Sequence, residues 1–176
     1  MSKSGLLMVI TGNGKGKTTA AFGQALRVIG HGTKVLVIQF MKGSQNYGEF
    51  QVARRCLADL LTVEQYGRDE FVNKADPLPI DVELAHKGLA RAREALAAGE
   101  FGLIILDEIN VALDFGLVRW EEVEAALGGR NPSLDVLLTG RYAPAELVRL
   151  ADQVSEVLDI KHHFAAGVPA QEGIEF

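Results

Sequence analysis

The sequence has a single cysteine, Cys56, so no disulfide can close within the chain, and the residue reads as a small buried group rather than a nucleophile. It has no excess of basic residues: 18 lysines and arginines stand against 23 acidic residues, a formal charge of −5. Nucleic-acid binding usually leaves a basic footprint, so that class of partner is disfavoured. No apolar run approaches the roughly 20 residues that cross a bilayer, and Gly5 to Ile10 is too short for the core of a signal peptide. No internal repeat, low-complexity tract or linker divides the 176 residues. These absences leave one domain, residues 1–176, in a cytoplasmic protein with no membrane and no nucleic-acid partner.

What is present is an alternation of short apolar runs with longer segments of helical period. Leu6 to Ile10, Lys34 to Phe40, Leu61 to Tyr66, Phe101 to Leu106, Leu134 to Leu138 and Val154 to Ile160 read as six strands. Thr18 to Ile29, Asp81 to Ala98, Trp120 to Leu127 and Ala145 to Ala151 read as helices. In the second of these, Val82, Ala85, Leu89, Ala92 and Leu96 fall at steps of three and four, which puts them on one face. Strands rich in Val, Ile and Leu, without polar alternation, predict an α/β fold with a mostly parallel sheet flanked by helices on both faces. Ligands of such sheets bind beyond the carboxyl ends of the strands.

Two motifs fall at those ends. Between the first strand and first helix, residues 11–19 read TGNGKGKTT, a glycine-rich loop closing in Gly-Lys-Thr. Small residues let backbone N–H groups converge on phosphate oxygens, and the helix N-terminus adds a favourable dipole. Lys17 would neutralise a polyphosphate, and the Thr18 hydroxyl would meet magnesium. The loop departs from the usual spacing, because Thr11 stands where the first glycine is expected. The second motif, Leu103 to Glu108, places Asp107 and Glu108 at the end of a buried strand, as carboxylates that hold magnesium do. Both motifs indicate a P-loop nucleotide enzyme and go no further; a P-loop NTPase-like domain with a RecA-like strand arrangement is the expectation for the whole chain. They leave hydrolysis, phosphoryl transfer and alkyl transfer open.

The wider string is more specific. TGNGKGKTTAAFG (11–23), GHG (30–32), VIQFMKG (37–43), LDEIN (106–110), LTGR (138–141), VSE (154–156), KHHF (161–164) and GIEF (173–176) together resemble the P-loop ATP:corrinoid adenosyltransferase family over practically the whole chain. The resemblance implies transfer of the 5′-deoxyadenosyl group of ATP to the Co(I) centre of a reduced corrinoid, with triphosphate released. It also implies that the loop holds ATP in the reverse sense to most P-loop enzymes. By this resemblance Gly12, Asn13, Gly14, Lys15, Gly16, Lys17, Thr18 and Thr19 bind ATP; Arg141 is added to them because it follows the fifth strand, where a sheet-end ligand contact is expected. Lys17, Thr18 and Glu108 are the catalytic set. Thr18 and Glu108 hold Mg2+, with Mn2+ as an alternative, and Asp107 stands behind them through water. Tyr66 and Phe71 are corrinoid-binding candidates, in a segment where other members carry Phe and Trp; the one tryptophan here, Trp120, is elsewhere in the sequence. His162 and His163 fit the closing motif in a structural role. The family further implies a homodimer and a reduced flavin protein as electron donor. Co(I) is itself a strong nucleophile, so no general base is needed. A P-loop ATPase or kinase, and a nucleotide-dependent corrinoid carrier, are the alternatives.

Overall fold

The computed structural model describes residues 4–176. Its order is β1 (Leu7–Thr11), α1 (Lys17–Ile29), β2 (Val35–Phe40), α2 (Gly48–Cys56), β3 (Leu61–Tyr66), α3 (Pro79–Ala98), β4 (Leu103–Asp107), α4 (Ile109–Asp114), α5 (Trp120–Gly128), β5 (Asp135–Thr139), α6 (Ala145–Leu150) and β6 (Gln153–Glu156). A single 3-10 turn, His163–Ala166, follows. The strands form one sheet in the order β3-β2-β4-β5-β1-β6, and every pairing is parallel rather than most of them. This is the RecA-like P-loop arrangement, in which β5 separates the phosphate-loop strand β1 from the acidic strand β4.

Successive strand residues point to opposite faces, and both faces are covered. Leu36, Ile38 and Phe40 of β2 pack with Ile104, Leu106, Val136 and Leu138 under α3, α4, α5 and α6. Val35 and Val37 pack with Leu103, Ile105 and Leu137 under α1 and α2. Each fully buried Val, Leu, Ile or Phe contributes about 1.5–3 kcal/mol of transfer free energy. The α3 face read from the sequence is the one buried: Ala85, Leu89, Ala92 and Leu96 are in the core, with Val82 against its margin. Pro79 starts this helix, where a missing N–H costs nothing, and the Asp81 carboxylate accepts the Leu78 N–H at 3.2 Å.

Three expectations need correction. The sixth strand ends at Glu156, not Ile160; it is an exposed edge strand paired only with β1, and residues 157–160 lie outside it. Cys56 is exposed at the end of α2 rather than buried. Helices α2 and α4 were not expected, because nine and six residues are too few for a clear period in sequence.

Three non-glycine residues among those described adopt a left-handed backbone: Met41 (φ 58°), Glu108 (φ 62°) and Tyr142 (φ 61°). All three lie just beyond the carboxyl ends of β2, β4 and β5. Such conformations cost about 1–3 kcal/mol each and concentrate where function demands them. The strain therefore marks the edge of the sheet at which a ligand is expected.

Candidate active site

The loop from Gly12 to Gly16 leaves β1 and enters α1 through Gly16, whose φ of 117° no β-carbon would tolerate. Its glycines also allow a close approach from behind. A β-carbon on Gly14 would lie 2.4 Å from the Leu158 carbonyl oxygen, and the Gly14 N–H donates to the Val157 carbonyl at 2.8 Å. Lys17 is buried, with its ammonium donating to the Gly14 carbonyl at 2.7 Å. Burial lowers its pKa, Arg141 adds to the lowering, and Glu108 and Asp107 oppose it without reversing it. Lys15 points the other way, donating to the Ile174 carbonyl at 2.6 Å beside the Glu175 carboxylate at 3.8 Å. Asn13 and Thr19 are exposed, while Gly12 is buried.

Asp107, at the end of β4, is fully buried and is the hub of the site. One carboxylate oxygen accepts from Thr139 at 2.7 Å and from Thr18 at 3.0 Å. The other accepts from Lys42 at 2.9 Å and from Gln39 at 3.1 Å. Burial favours the protonated acid, but the Lys42 ammonium and the hydrogen bonds outweigh it and hold Asp107 below the usual carboxylate range. Lys42 is raised: burial works against its charge, and Asp107 more than compensates. Glu108 stands at the N-cap position of α4 with no side-chain capping bond, and its backbone N–H donates to the Thr139 hydroxyl at 3.0 Å. Burial, and then the neighbouring Asp107 charge, raise its pKa, while Lys42, Lys17 and Arg141 pull it down by less.

The structure therefore brings Lys17, Thr18, Asp107, Glu108 and Arg141 to one end of the sheet, as expected from sequence. Between the two carboxylates it is Asp107 that hydrogen-bonds Thr18 directly. Lys42, Gln39 and Thr139 belong to the site and were not singled out. Gln39 had a signal, as the one amide in the buried run VLVIQF; it also accepts from Gln65 at 3.1 Å, which ties β3 to the hub. Lys42 had only its place in the string VIQFMKG, because a lysine after a strand otherwise reads as solvated surface.

Tyr66 and Phe71 have different settings. Tyr66 packs against Gly88 of α3 and donates to Glu64 at 3.0 Å; burial and then that bond push its pKa up to about 12. Phe71 projects fully into solvent. The loop between them is fastened by Arg68, which donates to both oxygens of Asp81 at 2.8 and 3.3 Å. Farther along, Lys74 reaches Asp114 at 2.7 Å and lies 5.7 Å from the centres of the Phe115 and Tyr142 rings. Trp120, far from the phosphate loop in sequence, lines a cleft of about 500 Å³ with Leu113, Val118, Tyr142 and Pro144. His162 accepts from the Phe164 N–H and His163 lies 3.5 Å from Glu175, so both serve the C-terminal segment.

Oxygen donors of this kind suit a hard divalent cation. Thr18 offers a hydroxyl, Asp107 and Glu108 offer carboxylates, and the Lys42 ammonium against Asp107 shows that the cluster already balances a positive charge. Among the described residues no group of three or more His, Cys, Asp or Glu is placed to hold a metal ion.

A family model described as ATP:corrinoid adenosyltransferase BtuR/CobO/CobP matches residues 3–176. The chain is similar to a corrinoid adenosyltransferase of Escherichia coli K12, 39% identical over 173 residues, spanning 98% of this chain and 86% of that one. It is also similar to a corrinoid adenosyltransferase of Pseudomonas aeruginosa, 38% identical over 172 residues, spanning 98% and 84%. In fold it resembles the crystal structure of the flagellar accessory protein FlaH from Methanocaldococcus jannaschii, with a TM-score of 0.58 at 14% identity over 88% of this chain and 71% of that one.

Proposed function

The chain belongs to the ATP:corrinoid adenosyltransferase family, and from that premise we propose how its strand-end site carries out ATP-dependent adenosylation of a corrinoid. The reaction forms a bond between Co(I) of the reduced corrinoid and the 5′ carbon of ATP, and breaks the bond from that carbon to the triphosphate. The cobalt supplies the electron pair and the triphosphate departs with the other. What the protein must provide is a fixed leaving group, compensation for its charge, and an approach in line.

The observation that carries this reading is the Thr18–Asp107 hydrogen bond, which joins the phosphate loop to the acidic strand across β5. Residues 12–19 grip the triphosphate, Lys17 offsets charge as it leaves, and Arg141 closes on it from the end of β5. Thr18, Asp107 and Glu108 are the residues that would hold Mg2+, which neutralises phosphate oxygens when bound. Lys42 holds Asp107 ionised and aligned.

The corrinoid approaches over the loop from Tyr66 to Leu78 and the cleft of Trp120 and Tyr142, whose apolar surfaces suit a macrocycle edge. A homodimer is supported by the exposed apolar residues of β6 and the tail, including Val154, Leu158, Ile160 and Phe164. A reduced flavin protein as electron donor follows from the family alone. Cytoplasmic location agrees with the lone exposed thiol, and among the described residues no helix is long and apolar enough to cross a membrane.

The test is an anaerobic reaction of ATP, magnesium and chemically reduced cob(I)alamin. Loss of Co(I) absorbance with one triphosphate per light-sensitive adenosylcorrinoid is the expected result. ADP and phosphate without a cobalt–carbon product would favour the ATPase or kinase.

A further inference from the structure

The turn that carries Arg141 is not self-supporting. Gly140 has a φ of 127° and Tyr142 a φ of 61°, so two of the four residues Gly140–Ala143 hold backbone conformations that are strained or open only to glycine. Two side chains from elsewhere pin it. Asn110, on α4 just past the Asp107–Glu108 pair, donates from Nδ2 to the Gly140 carbonyl at 3.1 Å, with both groups buried. Thr11, the last residue of β1, accepts the Ala143 N–H on its hydroxyl at 3.3 Å. Arg141 lies between the two tethers.

Two further facts separate these tethers from ordinary packing. The Asn110 Oδ1 is buried with no hydrogen-bond partner among the described residues. An apolar side chain of similar size would fill that space without an orphaned acceptor, so the amide is present for its donor. A β-carbon on Gly140 would lie 3.0 Å from the Asn110 β-carbon, so the contact is built tightly on both sides. Thr11 is also the position where the phosphate loop departs from the usual glycine, and its hydroxyl is used here to bind the Arg141 turn.

We propose that Asn110 and Thr11 are positioning residues for adenosyl transfer, clamping the Gly140–Ala143 turn between the phosphate loop and the acidic strand so that Arg141 is aimed at the triphosphate. The proposal rests on the reading of Arg141 as a triphosphate contact. Neither residue touches substrate; each acts through the backbone of the turn.

A double-mutant cycle on the full chain tests it, using initial rates of cob(I)alamin adenosylation against ATP together with thermal melts. Asn110→Ala and Thr11→Val should each lower kcat/KM for ATP by ~10–100-fold, the scale of a reacting group displaced by about an ångström. Thr11→Ser keeps the hydroxyl and should restore most of the Thr11→Val loss. In an Arg141→Ala background the same two substitutions should cost no more than about twofold, because the group they aim is gone. Equal losses in both backgrounds would overturn the proposal and leave Asn110 and Thr11 as structural residues. So would wild-type kinetics in both single variants. An Arg141→Ala enzyme as fast as wild type would instead remove Arg141 from the reaction, and the proposal would fall with that reading. Thr11→Val conserves size and suits a strand, so the cycle stays readable even where Asn110→Ala folds poorly.

Discussion

Replacing Lys42 by methionine removes one charge while keeping most of the side chain's length. Asp107 has no exposed surface, and of its partners Thr139, Lys42, Thr18 and Gln39 only the lysine is a cation. Breaking a buried ion pair from one side costs about 3–5 kcal/mol. The Lys42 side chain keeps 15% of its surface exposed, so the lower end applies, ~3 kcal/mol. At about 2–4 °C per kcal/mol for a protein of this size, the melting temperature should fall by ~6–12 °C. The pH dependence gives the sharper test. In the native protein Asp107 lies below the ordinary carboxylate range, so its stabilisation is present above the unfolded pKa and is lost as pH falls through the depressed one. Without Lys42, burial dominates and the carboxyl moves above its unfolded value, so the penalty is relieved as pH falls through the raised pKa. The gap between Lys42→Met and wild type should therefore be widest near pH 8 and narrow toward pH 5. Urea or thermal denaturation without nucleotide measures it, and adding Asp107→Asn should recover much of the loss at pH 8. A variant as stable as wild type at pH 8, or a gap that acid leaves unchanged, would refute the reasoning.

Glu108→Gln should raise the magnesium concentration needed for half-maximal adenosylation, yet melt slightly higher than wild type at pH 8. Burial and Asp107 raise the Glu108 pKa, so its charged form opposes folding at high pH; the variant's advantage should vanish as pH falls and the native carboxyl takes up its proton. A variant that melts lower at pH 8 would contradict this. Lys17→Ala should slow transfer by ~10²–10³-fold, the usual effect of removing one preorganised charge from a leaving group, and near-normal rates would withdraw the phosphate-loop assignment. Asp81→Asn should weaken the Arg68 clamp and speed amide exchange across residues 67–78 while leaving α1 and β4 protected; uniform exchange across the chain would mean that the clamp is not local.

The parallel sheet, the phosphate loop and the acidic strand end were legible because each rests on local signals: unbroken apolar runs, three glycines before a Lys-Thr pair, and two carboxylates after LIIL. Arg141 was legible only as a residue following a strand, since its nearness to Lys17 depends on β5 lying between β1 and β4. Lys42 and Thr139 were hidden for the same reason, as their roles exist only once β2, β4 and β5 stand side by side. The end of β6 was misjudged because Val157, Leu158 and Ile160 continue an apolar pattern. Their backbone instead turns to brace the phosphate loop, with Val157 donating to the Thr11 carbonyl and accepting from the Gly14 N–H, both at 2.8 Å.

That bracing has a consequence for how the protein is made. Chains leave the ribosome N-terminus first, so residues 11–19 emerge long before Val157, Leu158 and Ile174. Every residue of the phosphate motif is then outside while its rear wall and the Lys15 contact are still unsynthesised. A product that stops short of β6 would carry the complete nucleotide signature in a loop with nothing behind it. The bracing of the phosphate loop is thereby deferred until translation is almost finished.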